Sequence, residues 1–102
     1  MDPDEIYASY SNLGVTYFNQ GNLEKAKQIF KKSIEFNPNN PDAYPNLGYT
    51  FFKQGDLNKA RELHEKAIKI NPNNVKGIAN LGDTYYTDDL NKAIFYYKKQ
   101  QS

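Results

Sequence analysis

The chain has 102 residues, a length that fits one compact unit. Thirteen Lys and Arg against twelve Asp and Glu leave a net charge of +1, which gives no global attraction to nucleic acid or to an acidic membrane. A mean hydropathy of −0.88 without a long apolar run excludes a transmembrane helix, and the lack of cysteine excludes disulfides, zinc–thiolate sites and thiol chemistry.

The chain opens on Met1-Asp2-Pro3-Asp4-Glu5, acidic and without the apolar stretch of a signal peptide. A cytoplasmic location is expected. Asp2 is placed to cap a helix, with Pro3 at its first position, where the missing N–H costs nothing. Tyr10, Leu13, Gly14 and Tyr17 then fall on one helical face. Gln20-Gly21-Asn22 supplies a glycine for a left-handed helix end and an Asn for the next cap. Leu23, Ala26, Phe30 and Ile34 form a second stripe, which Asn37-Pro38-Asn39-Asn40 stops.

The pattern then repeats. Residues 41–74 match residues 7–40 at 17 of 34 positions without a gap. Tyr44, Leu47, Gly48 and Phe51 stand where the first stripe stood. Leu57, Ala60, His64, Ala67 and Ile68 follow the second stripe, between Gln54-Gly55-Asp56 and Asn71-Pro72-Asn73-Asn74. Residues 75–102 are a third copy, with Ile78, Leu81, Gly82 and Tyr85. It is one residue shorter in its middle, where no glycine stands, and it ends early. The spacing predicts helices over 3–20, 23–36, 41–54, 57–70, 75–87 and 89–100. Pro45 is expected to kink the third helix or delay its start, because it offers no N–H to the carbonyl of Pro41.

The leading aromatic, Leu-Gly, aromatic, Ala, aromatic, Ala and Pro of the first two copies resemble the 34-residue tetratricopeptide repeat over residues 7–102. Ser33 replaces the second Ala in copy one, and His64 replaces an aromatic in copy two. Copy three has Ile78 for its leading aromatic, Gln100 for its second Ala, and no Pro. The resemblance implies an all-α solenoid over 1–102: three helix pairs (7–40, 41–74, 75–102) in a right-handed superhelix. It also implies a concave groove lined by the first helix of each pair, with peptides or proteins as ligands.

The faces left free by the core stripes would line that groove. They are Ala8, Ser11, Asn12, Val15, Phe18 and Asn19 in copy one, and Asp42, Pro45, Asn46, Tyr49, Phe52 and Lys53 in copy two. Copy three offers Lys76, Ala79, Asn80, Asp83, Tyr86 and Thr87. Two rows are regular: Asn12, Asn46 and Asn80, and Phe18, Phe52 and Tyr86. An Asn can pair with both the C=O and the N–H of an extended backbone, so such a row holds a peptide without reading its sequence. The row is similar to the asparagine ladder in the repeat array of the O-linked N-acetylglucosamine transferases. The aromatics, with Tyr49, Lys53 and Lys76, complete the expected peptide-binding set.

The family's carboxylate clamp for acidic chaperone tails would fall on Ser11, Val15, Asn46, Lys76 and Asn80. Only Asn46 and Lys76 have the expected chemistry, leaving one cation where such sites use several. Catalysis has no support: His64 reads as a packing residue, Asp88 and Asp89 as turn and cap, and no cofactor or metal motif occurs. The lysines of the second helices are interspersed with Glu at helical spacings, which reads as a solvated face and not as a nucleic-acid surface. The competing reading is a self-assembling scaffold module. The chain stops inside the last helix of copy three, without the extra solvating helix usual in the family. Ala93, Tyr97 and the flank of Tyr85 are therefore expected to face water and to pair with a second copy.

Overall fold

The computed structural model describes residues 2–40 and 43–101, and contains α1 (Pro3–Asn19), α2 (Leu23–Phe36), α3 (Ala43–Lys53), α4 (Leu57–Ile70), α5 (Val75–Tyr85) and α6 (Leu90–Gln101). No strand occurs among the described residues, and no helix is long and apolar enough to cross a membrane. Each helix packs on the next, and α3 also touches α1 and α5, so that the odd-numbered helices share one side of the stack.

The helix ends follow from side chains near them. Asp2 Oδ1 accepts from the N–H of Asp4 at 3.0 Å, with Pro3 opening α1. Asn22, Asp56, Asn74 and Asp89 cap α2, α4, α5 and α6 in the same way, through the N–H groups of Lys25, Lys59, Gly77 and Lys92. The first two pairs turn through a left-handed glycine, Gly21 at φ 81° and Gly55 at φ 84°. Behind each, Asn22 and Asp56 donate to the carbonyls of Tyr17 and Phe51 at 3.0 Å, closing the reversal of the chain.

The third pair turns without a glycine, and an arginine takes over part of the capping. The Arg61 guanidinium, on α4, donates to the terminal carbonyl of Thr84 at 2.5 Å and to both oxygens of Asp88 at 2.7 and 3.0 Å. It also lies 3.9 Å from the centre of the Tyr85 ring. A cation is thus held at the negative end of α5 by hydrogen bonds, an ion pair and an aromatic face. Lys27, at the matching position of the first pair, reaches Phe51 at 4.9 Å. The missing residue is absorbed in this turn, and α6 keeps its seat on α5: Ala93 is only 2% exposed.

Inside each pair the conserved geometry is a ring against a glycine. A Cβ on Gly14 would stand 2.5 Å from the Phe30 ring, one on Gly48 2.7 Å from His64, and one on Gly82 2.7 Å from Tyr97. A methyl there would force the ring, or the helix that carries it, to shift. Ala26, Ala60 and Ala67, all fully buried, make the matching close approach on the second helices. Between pairs, Phe30, Tyr44, Leu47, Phe51 and Leu63 form one buried cluster, against which Tyr7, Tyr17, Phe18, Ile34 and Phe52 pack.

Several expectations are corrected. Ala93 and Tyr97 do not face water: Ala93 is buried, and Tyr97 is half-buried on Gly82. Tyr85 is half-buried beneath Arg61. Leu90, Ile94 and Phe95 on α6 and Leu13 on α1 are exposed instead, among other large apolar side chains that include Val75 and Tyr86. Leu13 is 42% exposed, whereas its counterparts Leu47 and Leu81 are 4% and 1% exposed beneath the preceding pair. The onset of the third helix at Pro41 and Asp42 lies outside the described residues. From Ala43 the helix runs unbroken through Pro45 to Lys53.

His64 is 1% exposed, and its Nδ1 has no hydrogen-bond partner. Burial, reinforced by the charge of Lys76, holds its pKa down at about 4 from an ordinary 6.5.

Two predictions follow from these contacts. Arg61→Ala should cost roughly 2–3 kcal/mol in urea unfolding, by losing charge-assisted bonds and the ring contact, and Arg61→Lys should recover only part of it. For His64, the unfolded chain takes up a proton near pH 6.5 that the folded chain refuses until about pH 4. Stability should therefore fall as the pH drops through that window, by about 2–3 kcal/mol at its foot. In His64→Phe, which places in this slot the ring that Phe30 already supplies, thermal melts should lose that part of the pH slope.

Candidate functional site

The side of the stack built by α1, α3 and α5 carries two adjoining cavities that share Tyr49. The first, about 260 Å³, is lined by Val15, Phe18, Asn19, Phe30, Asn46, Tyr49 and Lys76. The second, about 340 Å³, is lined by Tyr49, Phe52, Asp83, Tyr86, Thr87 and Tyr97. The lining follows from helix spacing: Phe18, Phe52 and Tyr86 stand one repeat apart, and Val15, Tyr49 and Asp83 stand three residues earlier on the same faces.

Tyr49 is the node of this surface. Its ring lies 5.4 Å from that of Phe18 and 6.1 Å from that of Phe52, tilted 31° and 24° respectively. The Lys53 ammonium stands 5.4 Å from its centre. These separations are those of favourable aromatic pairs and of a cation over a ring face.

The two cavities differ in charge. In the first, Lys76 Nζ donates to Asn46 Oδ1 at 2.5 Å, which joins α5 to α3 and uses part of the Asn46 acceptor capacity. In the second, the Tyr97 hydroxyl donates to Asp83 Oδ1 at 2.5 Å. Burial, then this hydrogen bond and the carboxylate charge, push the Tyr97 phenol up to about 12, so it stays a donor.

Most of the expected set comes together here. Phe18, Asn46, Tyr49 and Lys76 line the first cavity, Phe52 and Tyr86 the second, and Lys53 covers Tyr49. Asn12 and Asn80 line neither cavity, so the three asparagines do not form one continuous edge of them. Ser11 and Pro45, expected on the free face, are used in packing: Ser11 shares a hydrogen bond with Ser33 at 3.0 Å, and Pro45 is fully buried. Asp42 lies outside the described residues.

Phe30 and Tyr97 were not in the expected set. Both belong to second helices, and they reach the groove because each ring lies across the glycine of its partner helix. The signal was the alternation of Gly14 with Phe30 and of Gly82 with Tyr97, which also reads as core packing alone.

A family model described as TPR repeat matches residues 14–55 and 48–89. The chain belongs to the TPR repeat family. Among solved structures, the first TPR of Spaghetti (RPAP3), bound to HSP90 peptide SRMEEVD, is similar with a TM-score of 0.90. It is 21% identical, with 94% of this chain and 79% of that one covered. The second TPR of Spaghetti, bound to the same peptide, has a TM-score of 0.86 and 20% identity, covering 94% and 90%. The crystal structure of MamA has a TM-score of 0.83 and 28% identity, covering 93% of this chain and 56% of that one. No curated protein matches. Six helices in three pairs fit about three TPR units, an all-α TPR solenoid.

Proposed function

We propose that this TPR unit is a non-catalytic interaction module that holds an extended peptide along the α1, α3 and α5 side. The observation that carries the reading is the pair of adjoining aromatic cavities sharing Tyr49. Half-buried aromatic surface with a few placed polar groups is what a peptide-binding trough needs. The two Spaghetti domains, each with an HSP90 peptide, support a peptide as the class of ligand. The groove chemistry here differs from a clamp for acidic tails. Val15 and Asn80 carry no positive charge, Ser11 is engaged with Ser33, and Lys76 is the one cation among the clamp-equivalent positions. The favoured ligand is an extended peptide with apolar side chains, seated first between Phe18 and Tyr49.

An array of extended peptides probed with the labelled protein tests this. Tyr49→Ala should reduce binding roughly tenfold or more, since it removes a wall common to both cavities. Asn46→Ala should cost about 1–2 kcal/mol, through its amide donors and its hold on Lys76. A blank array, or both variants binding as the parent does, would overturn the reading.

A second reading, assembly with another copy through the ends of the stack, is supported by the exposure of Leu13 and of Leu90, Ile94 and Phe95. Each TPR unit presents an apolar side to its neighbour, so uncovered ends favour association. Sedimentation over a wide concentration range should show mass rising with concentration, and Ile94→Lys with Leu13→Lys should abolish the rise. A constant monomer mass in the unaltered chain would rule this assembly out.

A further inference from the structure

The second cavity is more specific than an apolar trough. Among the described residues that line it, four of six are aromatic, Tyr49, Phe52, Tyr86 and Tyr97, and one, Asp83, is charged. Asp83 is exposed at its mouth, and one carboxylate oxygen is oriented by the Tyr97 hydroxyl while the other has no hydrogen-bond partner among the described residues. Aromatic faces present negative potential, so a carboxylate set among them forms a site for a positive group.

We propose that this cavity receives a basic side chain, lysine or arginine, of the bound peptide. The proposal rests on the peptide-groove reading above and deepens it.

Each alternative occupant meets a specific penalty. An acidic side chain would be repelled by Asp83 and by the ring faces. An aliphatic one would fill the space and press the second carboxylate oxygen out of water without replacing its hydration. A cation satisfies both elements, stacking on the rings while it pairs with the open carboxylate oxygen. The chain itself shows the affinity of these surfaces for cations. The Lys53 ammonium already stands over Tyr49 at 5.4 Å, and Arg61 over Tyr85 at 3.9 Å with Asp88 as its ion partner. The Arg61 arrangement, one guanidinium between a tyrosine face and an aspartate, is an internal model of the proposed complex. Lys53 does not line the cavity.

The neighbouring cavity has the opposite preference, because Lys76 lines it. A basic residue is therefore expected at one place along the peptide, and the segment over the first cavity should be apolar or acidic. A cavity of about 340 Å³ lies at the small end of the roughly 300–1,000 Å³ range of ligand pockets, a size for one long side chain.

The test is a positional-scanning array of degenerate peptides, each member fixing one residue at one position, probed with the parent chain and with Asp83→Asn. Asparagine keeps the oxygen that accepts from Tyr97 and removes only the charge, so the variant should fold as the parent does. Lysine or arginine at one position should bind roughly fivefold or more better than norleucine in the parent, and near-equally with norleucine in Asp83→Asn. Binding without basic preference, which would also result if Lys53 neutralised Asp83, overturns the subsite alone. A preference that survives in Asp83→Asn overturns it too. An array blank throughout overturns the peptide groove and the subsite together.

Discussion

The contact on which this molecule depends is the flat approach of a ring to a glycine inside each helix pair. Phe30 on Gly14, His64 on Gly48 and Tyr97 on Gly82 set how near the two helices come. A helical glycine costs about 1 kcal/mol relative to alanine, and the burial of a ring against bare backbone offsets it. The same contact has a second effect on the surface. A ring lying across its partner helix reaches the far side, so Phe30 and Tyr97 become walls of the two cavities. Scaffold packing and groove lining are therefore coupled through the same side chains.

The middle pair shows what the contact requires. Histidine is smaller than phenylalanine or tyrosine and carries two nitrogens, of which Nδ1 is left without a partner in the core. The ring still fits over Gly48, but only as the neutral form, which is why its pKa falls to about 4. The slot selects for a flat ring more strictly than for an apolar one. The third pair solves a different problem. Its turn lacks the left-handed glycine, and Arg61 from the neighbouring pair binds the carbonyl that the shorter turn leaves open. Stability of the third pair is in this way tied to the second across the interface between them.

Much of this was legible in the residues. The 34-residue period, the Gly-Asn and Gly-Asp reversals and the Asn-Pro stops place all six helices within about two residues of their observed bounds in the described chain. Those signals are local, because caps and turns act within one or two turns of helix. What was not legible depends on a neighbour in space. Leu13, Leu47 and Leu81 are identical in local pattern, yet Leu13 is 42% exposed while Leu47 and Leu81 are buried by neighbours in space. Ser11 and Pro45 occupy a face that helical phase assigns to the groove, but Ser33 and the packing around α3 draw them in. Tyr97 was expected in water on the second helix of copy three. Its own pair covers it, through Gly82 and Asp83. The asparagine row is regular in sequence, but Asn46 alone of its members lines a cavity, where its acceptor is already partly engaged by Lys76.

The repeats differ from one another where they line the two cavities and agree where they face each other. Thr16, Thr50 and Thr84 all turn their hydroxyls onto a carbonyl of their own helix, and the Leu-Gly pair and the small alanine recur in each unit. One residue earlier in the helix than the threonines, the series runs Val15, Tyr49, Asp83. That row passes from aliphatic to aromatic to acidic along the groove, while the lysine beside Asn46 stands nearer its aliphatic end. A uniform row would grip an extended chain equally in either direction and in any register. A graded one distinguishes the two directions, because reversing the peptide would exchange the groups presented to Lys76 and to Asp83. On the proposed peptide-groove reading, charge would set the direction of binding, and the tyrosine that both cavities share would set its strength.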